Sequence, residues 1–259
     1  MNMKHFRTYK SLCTEFYDLE KPEAPLVELS FYIEYAKKAK GIILEPMCGS
    51  GRFLLPLLEQ GFQVEGIDAS SYMLSSLRKK CDRRRLNPLL HETMLQKARL
   101  NKKFSLIIIP SGSFCLIHEE NDIKEALETM FDLLEPDGKL VFEIEMVTML
   151  SEEKKQCHFW CGRFVKKPDG SMILLSTFPY YDEKTQIDTT ICKYELIQKN
   201  QIIQTEVEEF CLRLYKAGEI EQFLQNAGFI DIKRYKLYEP SDPSQNDPAI
   251  IIECRKGEK

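Results

Sequence analysis

What this sequence lacks narrows its function before any motif does. Positive charge is not in excess: 36 Lys and Arg stand against 40 Asp and Glu, a formal net charge of −4. A protein that grips phosphate backbones or an anionic bilayer gains affinity from a basic stripe. The densest basic run here, Arg78-Lys79-Lys80 with Arg83-Arg84-Arg85, reads instead as the solvated end of a helix, where cations offset the dipole. Neither a nucleic-acid nor a membrane partner is expected. No apolar run approaches membrane-spanning length, and the opening MNMKHFRTYKSLC has no apolar signal-peptide core, so the expected location is cytoplasmic. Nine cysteines in that setting read as free, packed thiols. The tightest pair, CHFWC, has no second pair at zinc-site spacing, and Phe164 stands where a radical iron–sulfur motif needs its third cysteine; no metal is expected. Internal repeats and low-complexity tracts are missing too.

The chain does have rhythm. Its 259 residues, 43% hydrophobic and 29% charged, suit one large domain or a domain carrying an insertion. Leu29, Ile33 and Ala36 fall at helix spacing within 25–40, before Gly41. The strand GIILEP follows, then the loop MCGSG and a helix ending near Gly61, in whose interior Pro56 would remove one hydrogen bond. FQVEGID, a helix over about 70–85, PLLHETM and KFSLIIIP continue the alternation, the last as an unbroken apolar run of a strand covered on both faces. Ile123, Leu127, Met130, Phe131 and Leu134 form a helical stripe. The turn EPDG then leads into KLVFEIE. This pattern predicts an α/β fold with a doubly wound, mainly parallel sheet. Between about 157 and 214 the rhythm changes to strands separated by PDG, DEKTQ and KN, the turn chemistry of antiparallel hairpins. A small antiparallel sheet is therefore expected as an insert. A helix at about 217–227 and the strands FIDIKRYKLYE and AIIIECR close the chain. The expected organisation is 1–156 as N-terminal lid and cofactor-binding part, 157–214 as β insert and substrate cap, and 215–259 as the remainder of the main domain.

The stretch ILEPMCGSGR raises the question of which ligand its loop holds. Gly49 and Gly51 fit a dinucleotide fingerprint, but Leu54 replaces the third glycine. Two acids end the flanking strands, Glu45 on the first and Asp68 on the second. Glu45 would repel a pyrophosphate and suits a ligand bearing an ammonium and a sulfonium, while Asp68 can accept from both hydroxyls of a ribose. Arg52, a cation at a helix start, argues mildly the other way, since it also suits phosphate.

At these residues the sequence resembles the class I S-adenosylmethionine-dependent methyltransferases, over most of its length. ILEPMCGSGR is similar to their first motif. GIDASSYML resembles the second, with Asp68 as ribose acid, Ala69 beside it and Met73 along the adenosine. HETM, carrying Thr93 and Met94, falls where the family contacts adenine. EPDGKLVFEIE and EIEQFLQNAGF match its fifth strand and last helix. The resemblance implies a seven-stranded sheet with an antiparallel last strand, S-adenosyl-L-methionine as cofactor, and a cofactor site made of Tyr17, Glu45, Cys48, Gly49, Ser50, Gly51, Arg52, Asp68, Ala69, Met73, Thr93, Met94, Pro110 and Ser111. Through the inserted sheet the chain also resembles small-molecule methyltransferases, sugar N-methyltransferases among them, which implies a small-molecule acceptor. Met47 departs from the family's first glycine, and Thr93 from the acid that usually receives the adenine amino group.

Methyl transfer by in-line displacement asks a protein mainly to align the nucleophile and exclude water. For a protonated nucleophile, His118 or His158 is the candidate base. Ser113, Phe114, Trp160, Arg163, Tyr181, Arg213 and Tyr215 are candidate acceptor contacts, a set with two cations that suits a small acidic or aromatic acceptor. Glu143 and Glu145 share one face at the end of the fifth strand. Two other functions fit the same residues: a domain that binds S-adenosylmethionine without turnover, and an NAD-dependent oxidoreductase.

Overall fold

The computed structural model describes residues 8–150 and 160–258. Its main sheet has seven strands. In chain order they are β1 (Ile43–Pro46), β2 (Val64–Asp68), β3 (Leu90–Glu92), β4 (Phe104–Ile109), β5 (Leu134–Glu145) and, after the insert, β10 (Phe229–Lys236) and β11 (Ala249–Lys256). They lie in the order β10-β11-β5-β4-β1-β2-β3. β1 to β5 run parallel to one another, and β11 is antiparallel to both β5 and β10. The chain therefore winds from β1 outward through β2 to β3, then returns to place β4 on the other side of β1. The loops after β1 and β4 part company there, opening a crevice at the carboxyl edge.

Alternation along the strands makes two cores. One face, bearing Leu44, Ile107, Ile109, Phe142 and Ile252, packs on Ile123, Leu127 and Met130 of α5 (Glu120–Leu133) and on Ile220 and Leu224 of α6 (Glu219–Ala227). The other, bearing Ile43, Leu106, Ile108, Val141 and Ile251, packs on α2 (Leu26–Lys38), α3 (Leu54–Glu59) and α4 (Ser71–Arg84). Both faces are covered, which is why β4 reads as a continuous apolar run.

The insert's sheet has four antiparallel strands in sequence order, β6 (Cys161–Lys166), β7 (Met172–Asp182), β8 (Ile187–Gln198) and β9 (Gln201–Arg213). The β8–β9 turn, Lys199-Asn200, takes φ values of 50° and 61°, the left-handed pair that matches strand twist in a two-residue hairpin. One face of this sheet, with Ile173, Leu175, Cys192 and Tyr194, forms a third core against Leu12, Cys13 and Phe16 of α1 (Ser11–Glu20), a helix that the polar N-terminal segment does not announce by periodicity.

Three local expectations change. Pro56 sits in the first turn of α3, where a missing N–H is tolerated, rather than in a helix interior. EPDG does not precede β5 but bulges out of it: Phe104 pairs with Leu134 and Leu106 with Lys139, with Asp137 at φ 59° between. The third strand shortens to three residues, because Thr93 and Met94 turn away into a short 3-10 turn, Leu95–Lys97.

Candidate active site

The crevice beside β1 deepens into a cavity of about 670 Å³, closed over by Thr8, Tyr9 and Tyr17 from the N-terminal segment and by Glu209 and Cys211 from β9. The glycine loop forms its floor. Met47 adopts φ 59°, so the left-handed turn that a first glycine would make easily is made here by a side-chain-bearing residue. Gly49 (φ 53°) and Gly51 (φ 88°) continue it. The close helix–strand approach that a third loop glycine provides in dinucleotide folds comes from β2 instead. A Cβ on Gly66 would lie 2.8 Å from Leu54 Cδ1 and 2.7 Å from Cys48 Sγ.

Two acids face this floor. Asp68 accepts from Gly49 N–H and Ser70 N–H, each at 2.8 Å. Burial nevertheless raises its pKa from 3.8 to about 6, the backbone donors opposing. Glu45 is 2% exposed, and its Oε2 has no hydrogen-bond partner. Burial, and after it the charge of Asp68, holds its pKa well above the ordinary carboxylate range, with Arg52 pulling the other way. Arg52 reaches Tyr17 Oη at 3.2 Å, Ser111 Oγ at 3.1 Å and Glu28 at 3.6 Å, while its Nε is buried without a partner. An orphaned carboxylate oxygen and an orphaned guanidinium N–H in one buried wall are costly unless a ligand completes them. A zwitterionic amino-acid head has the matching groups, and Asp68 keeps lone pairs for a ribose diol. The donor set fits S-adenosylmethionine.

Of the residues read as cofactor contacts, Tyr17, Glu45, Cys48, Gly49, Arg52 and Asp68 line the cavity. So do Ala69, Met73, Thr93, Met94, Pro110 and Ser111. Ser50 and Gly51 do not: Ser50 Oγ donates to Asp18 of α1, and Gly51 packs against Leu77 and Leu55. Both support the floor from beneath. The acceptor set fares differently, since Ser113 alone of it lines the cavity. Phe114 is fully buried between Phe142 and Tyr215, itself buried, so both are core. Arg213 pairs with Glu219, and Arg163 lies over Phe16 and pairs with Glu20. Trp160 packs on Phe178 on the exposed sheet face, and Tyr181 does not reach the cavity. Neither cation expected to favour an acidic acceptor lines the cavity. His118 does, with Nδ1 3.3 Å from Leu116 O and Nε2 3.7 Å from Glu119. His158 lies outside the described residues. Glu143 is sequestered away from the cavity, accepting from Tyr32 Oη at 2.6 Å and Tyr238 Oη at 2.9 Å. Glu145 does not line it either.

Sequence reasoning missed Gln96, Asp122, Glu209 and Cys211. Asp122 carried a signal, an acid in the first turn of a helix at the carboxyl edge. Glu209 and Cys211 carried the alternation of β9, without an indication of which face meets the cavity.

An acid at the tip of each of two adjacent parallel strands, a glycine loop between them and a terminal strand running antiparallel define the class I methyltransferase fold. Residues 43–138 match the family model described as a methyltransferase domain. The chain is 24% identical over 241 residues to a putative methyltransferase, YqeM, of Bacillus subtilis, covering 93% of this chain and 94% of that protein. Among solved structures it resembles an S-adenosylmethionine-dependent methyltransferase from Clostridium acetobutylicum, with TM-score 0.76, 18% identity and 94% and 97% of the two chains covered. It also resembles the sugar N-methyltransferase KedS8 from Streptoalloteichus, with TM-score 0.72, 15% identity and 93% of each chain covered.

Proposed function

We propose that this chain uses S-adenosylmethionine to methylate a small-molecule acceptor within the cavity between the carboxyl edge of the main sheet and the inserted sheet. The observation that carries this reading is the unmatched pair, Glu45 Oε2 and Arg52 Nε, buried without partners near Asp68. Glu45 would take the ammonium of the methionine part and Arg52 its carboxylate. Asp68 would take the ribose hydroxyls, and Ile67, Met73, Met94 and Leu95 would wall the purine, with Gln96 and Thr93 as polar partners. A phosphate-bearing dinucleotide would set its charge against Glu45. When bound, S-adenosylmethionine supplies an electrophilic methyl on a good leaving group.

The chain's own contribution is then orientation and dryness, worth on the order of 7–11 kcal/mol where alignment is good. Tyr9 and Tyr17 on one side and β9 on the other would exclude water. His118, which lines the cavity, would serve as the base, held at Nδ1 by Leu116 O. A base of this kind contributes about 10²–10⁴-fold for an acceptor that arrives protonated. The sugar N-methyltransferase among the fold neighbours supports a small acceptor.

Calorimetric titration with S-adenosylmethionine, S-adenosylhomocysteine and NAD tests the reading. Binding of the first two and not of NAD is expected; NAD bound with both sulfur nucleosides ignored would overturn it. His118→Ala should cut turnover about 10²-fold or more while cofactor affinity holds. Full activity in that variant removes His118 from the chemistry.

A further inference from the structure

Glu143 is a buried acid that the chemistry above leaves unused. It stands one residue beyond Phe142, which pairs with Ile109 at the end of β4, so it reaches the carboxyl edge where the chain turns off at Pro110. Three groups from three other parts of the chain donate to its carboxylate. They are Tyr32 Oη of α2 at 2.6 Å, Tyr238 Oη beyond β10 at 2.9 Å, and the Ser111 N–H. At 3% exposure the carboxylate has lost its water, and these bonds replace it. Burial still raises its pKa, with the three donors opposing.

Of the three donors, Ser111 alone lines the cavity. It sits at φ 56°, a left-handed conformation that residues other than glycine seldom hold without support. Glu143 supplies that support by accepting its N–H. The Ser111 hydroxyl then does two things: it donates to Glu28 Oε2 at 3.1 Å and accepts from Arg52 Nη2 at 3.1 Å. Tyr238 also bonds Glu28, so the same hydroxyl that meets Glu143 steadies the second acid. A guanidinium is a rigid planar fork. Fixing Nη2 on Ser111 and Nη1 on Tyr17 therefore fixes where the unpartnered Nε points. Glycine would take the backbone angle of residue 111 freely but would offer Arg52 no hydroxyl. Serine offers the hydroxyl and needs the tether.

We propose that Glu143 is a positioning residue for the cofactor: by holding Ser111 in its left-handed turn, it sets the plane of the Arg52 guanidinium that receives the methionine carboxylate. This rests on the methyltransferase reading above and deepens it. Glu143 never touches the ligand. Its effect reaches only the amino-acid end, because the adenosine end is held by Asp68 and the groups around it.

That division supplies the test. The full chain is titrated calorimetrically with S-adenosylhomocysteine and with 5′-methylthioadenosine, which keeps adenine, ribose and thioether but lacks the amino-acid end. Glu143→Gln keeps the shape of the side chain and turns one accepting oxygen into a donor among donors. It should weaken S-adenosylhomocysteine about tenfold while methylthioadenosine stays within about twofold. A general loosening of the sheet would weaken both alike. Tyr238→Phe, at a partly exposed position, removes one of the bonds to Glu143 and should give the same selective loss, about threefold or more. It carries the test if Glu143→Gln fails to melt cooperatively. Because Glu143 acts through Ser111, adding Ser111→Ala to Glu143→Gln should not multiply the two losses. Equal losses for the two nucleosides, an unchanged S-adenosylhomocysteine affinity, or multiplied losses in the double variant would overturn the inference. Failure of both nucleosides to bind the unaltered chain would instead sink the methyltransferase reading.

Discussion

Lowering the pH should release the cofactor through Asp68, and the same protonation should stabilise the empty protein. Burial raises the Asp68 pKa from 3.8 to about 6, although Gly49 and Ser70 N–H both donate to its carboxylate. Ribose hydroxyls and a nearby sulfonium favour the ionised form, so binding below pH 6 must first expel a proton. Each further pH unit down then weakens binding about tenfold, which gives roughly a tenfold loss, or about 1.4 kcal/mol, between pH 7.5 and pH 5. Glu45, whose pKa is also raised by burial, acts in the same direction.

The unliganded fold behaves oppositely. Because the folded pKa lies above the unfolded one, the native state holds more protons across the window from 3.8 to about 6. Stability is therefore greatest below that window, falls as pH rises through it, and is flat above, with a span of about 3 kcal/mol from this group. Calorimetric Kd values for S-adenosylhomocysteine at pH 5, 6 and 7.5, beside urea unfolding of the free protein at the same pH values, read both slopes. Asp68→Asn should lose its share of each. A Kd that changes less than about twofold over that range would refute the assignment of Asp68 as a buried, ligand-facing carboxylate.

Two further outcomes follow from the floor of the cavity. Gly51→Ala should cost about 2–5 kcal/mol and lower Tm by roughly 5–15 °C, because the residue sits at φ 88° and its new Cβ would lie 2.3 Å from Leu77 Cδ1. A melt within a degree of the parent's would show that the loop yields freely. Asp18→Asn should cost about 1–3 kcal/mol, since it removes the charge facing Lys80 at 2.7 Å and turns one of the two oxygens that accept from Ser50 and Ser76 into a donor. By loosening α1, which carries Tyr17, it should also speed S-adenosylhomocysteine dissociation in stopped-flow; an unchanged off-rate would separate α1 from cofactor retention.

The order of strands was legible because each carries its own periodicity. β4 shows both-face burial as an unbroken apolar run, and the Lys199-Asn200 turn announces a hairpin by composition alone. One end of the candidate site was legible for a related reason: Glu45, Gly49, Arg52 and Asp68 lie within one strand–loop–helix–strand unit, so local spacing determines their meeting in the cavity wall. The acceptor end depends on contacts between distant elements, and there residue type misled. Phe114 and Tyr215 have the chemistry of pocket walls but stack on each other in the core, as the fully buried aromatic pair that joins the loop after β4 to the exit from β9. Gly66, read only as part of a strand, supplies the close approach that the missing third loop glycine would have given.

The acids of β9 show why strand alternation needs its neighbours before it yields function. In the run EVEEFCLR, Glu206 accepts from Leu12 N–H at 2.8 Å, and Glu208 accepts from Tyr9 and Lys10 N–H at 2.7 and 2.8 Å. Both thereby satisfy the free donors at the start of α1 from a different sheet, and their charge favours the positive end of the helix dipole. On its other side α1 holds the glycine loop, through Asp18 to Ser50 and Lys80 and through Tyr17 to Arg52. The helix thus ties the floor of the cavity to β9, the strand that presents Glu209 to it. One residue's step along β9 turns a helix-capping acid into a cavity acid.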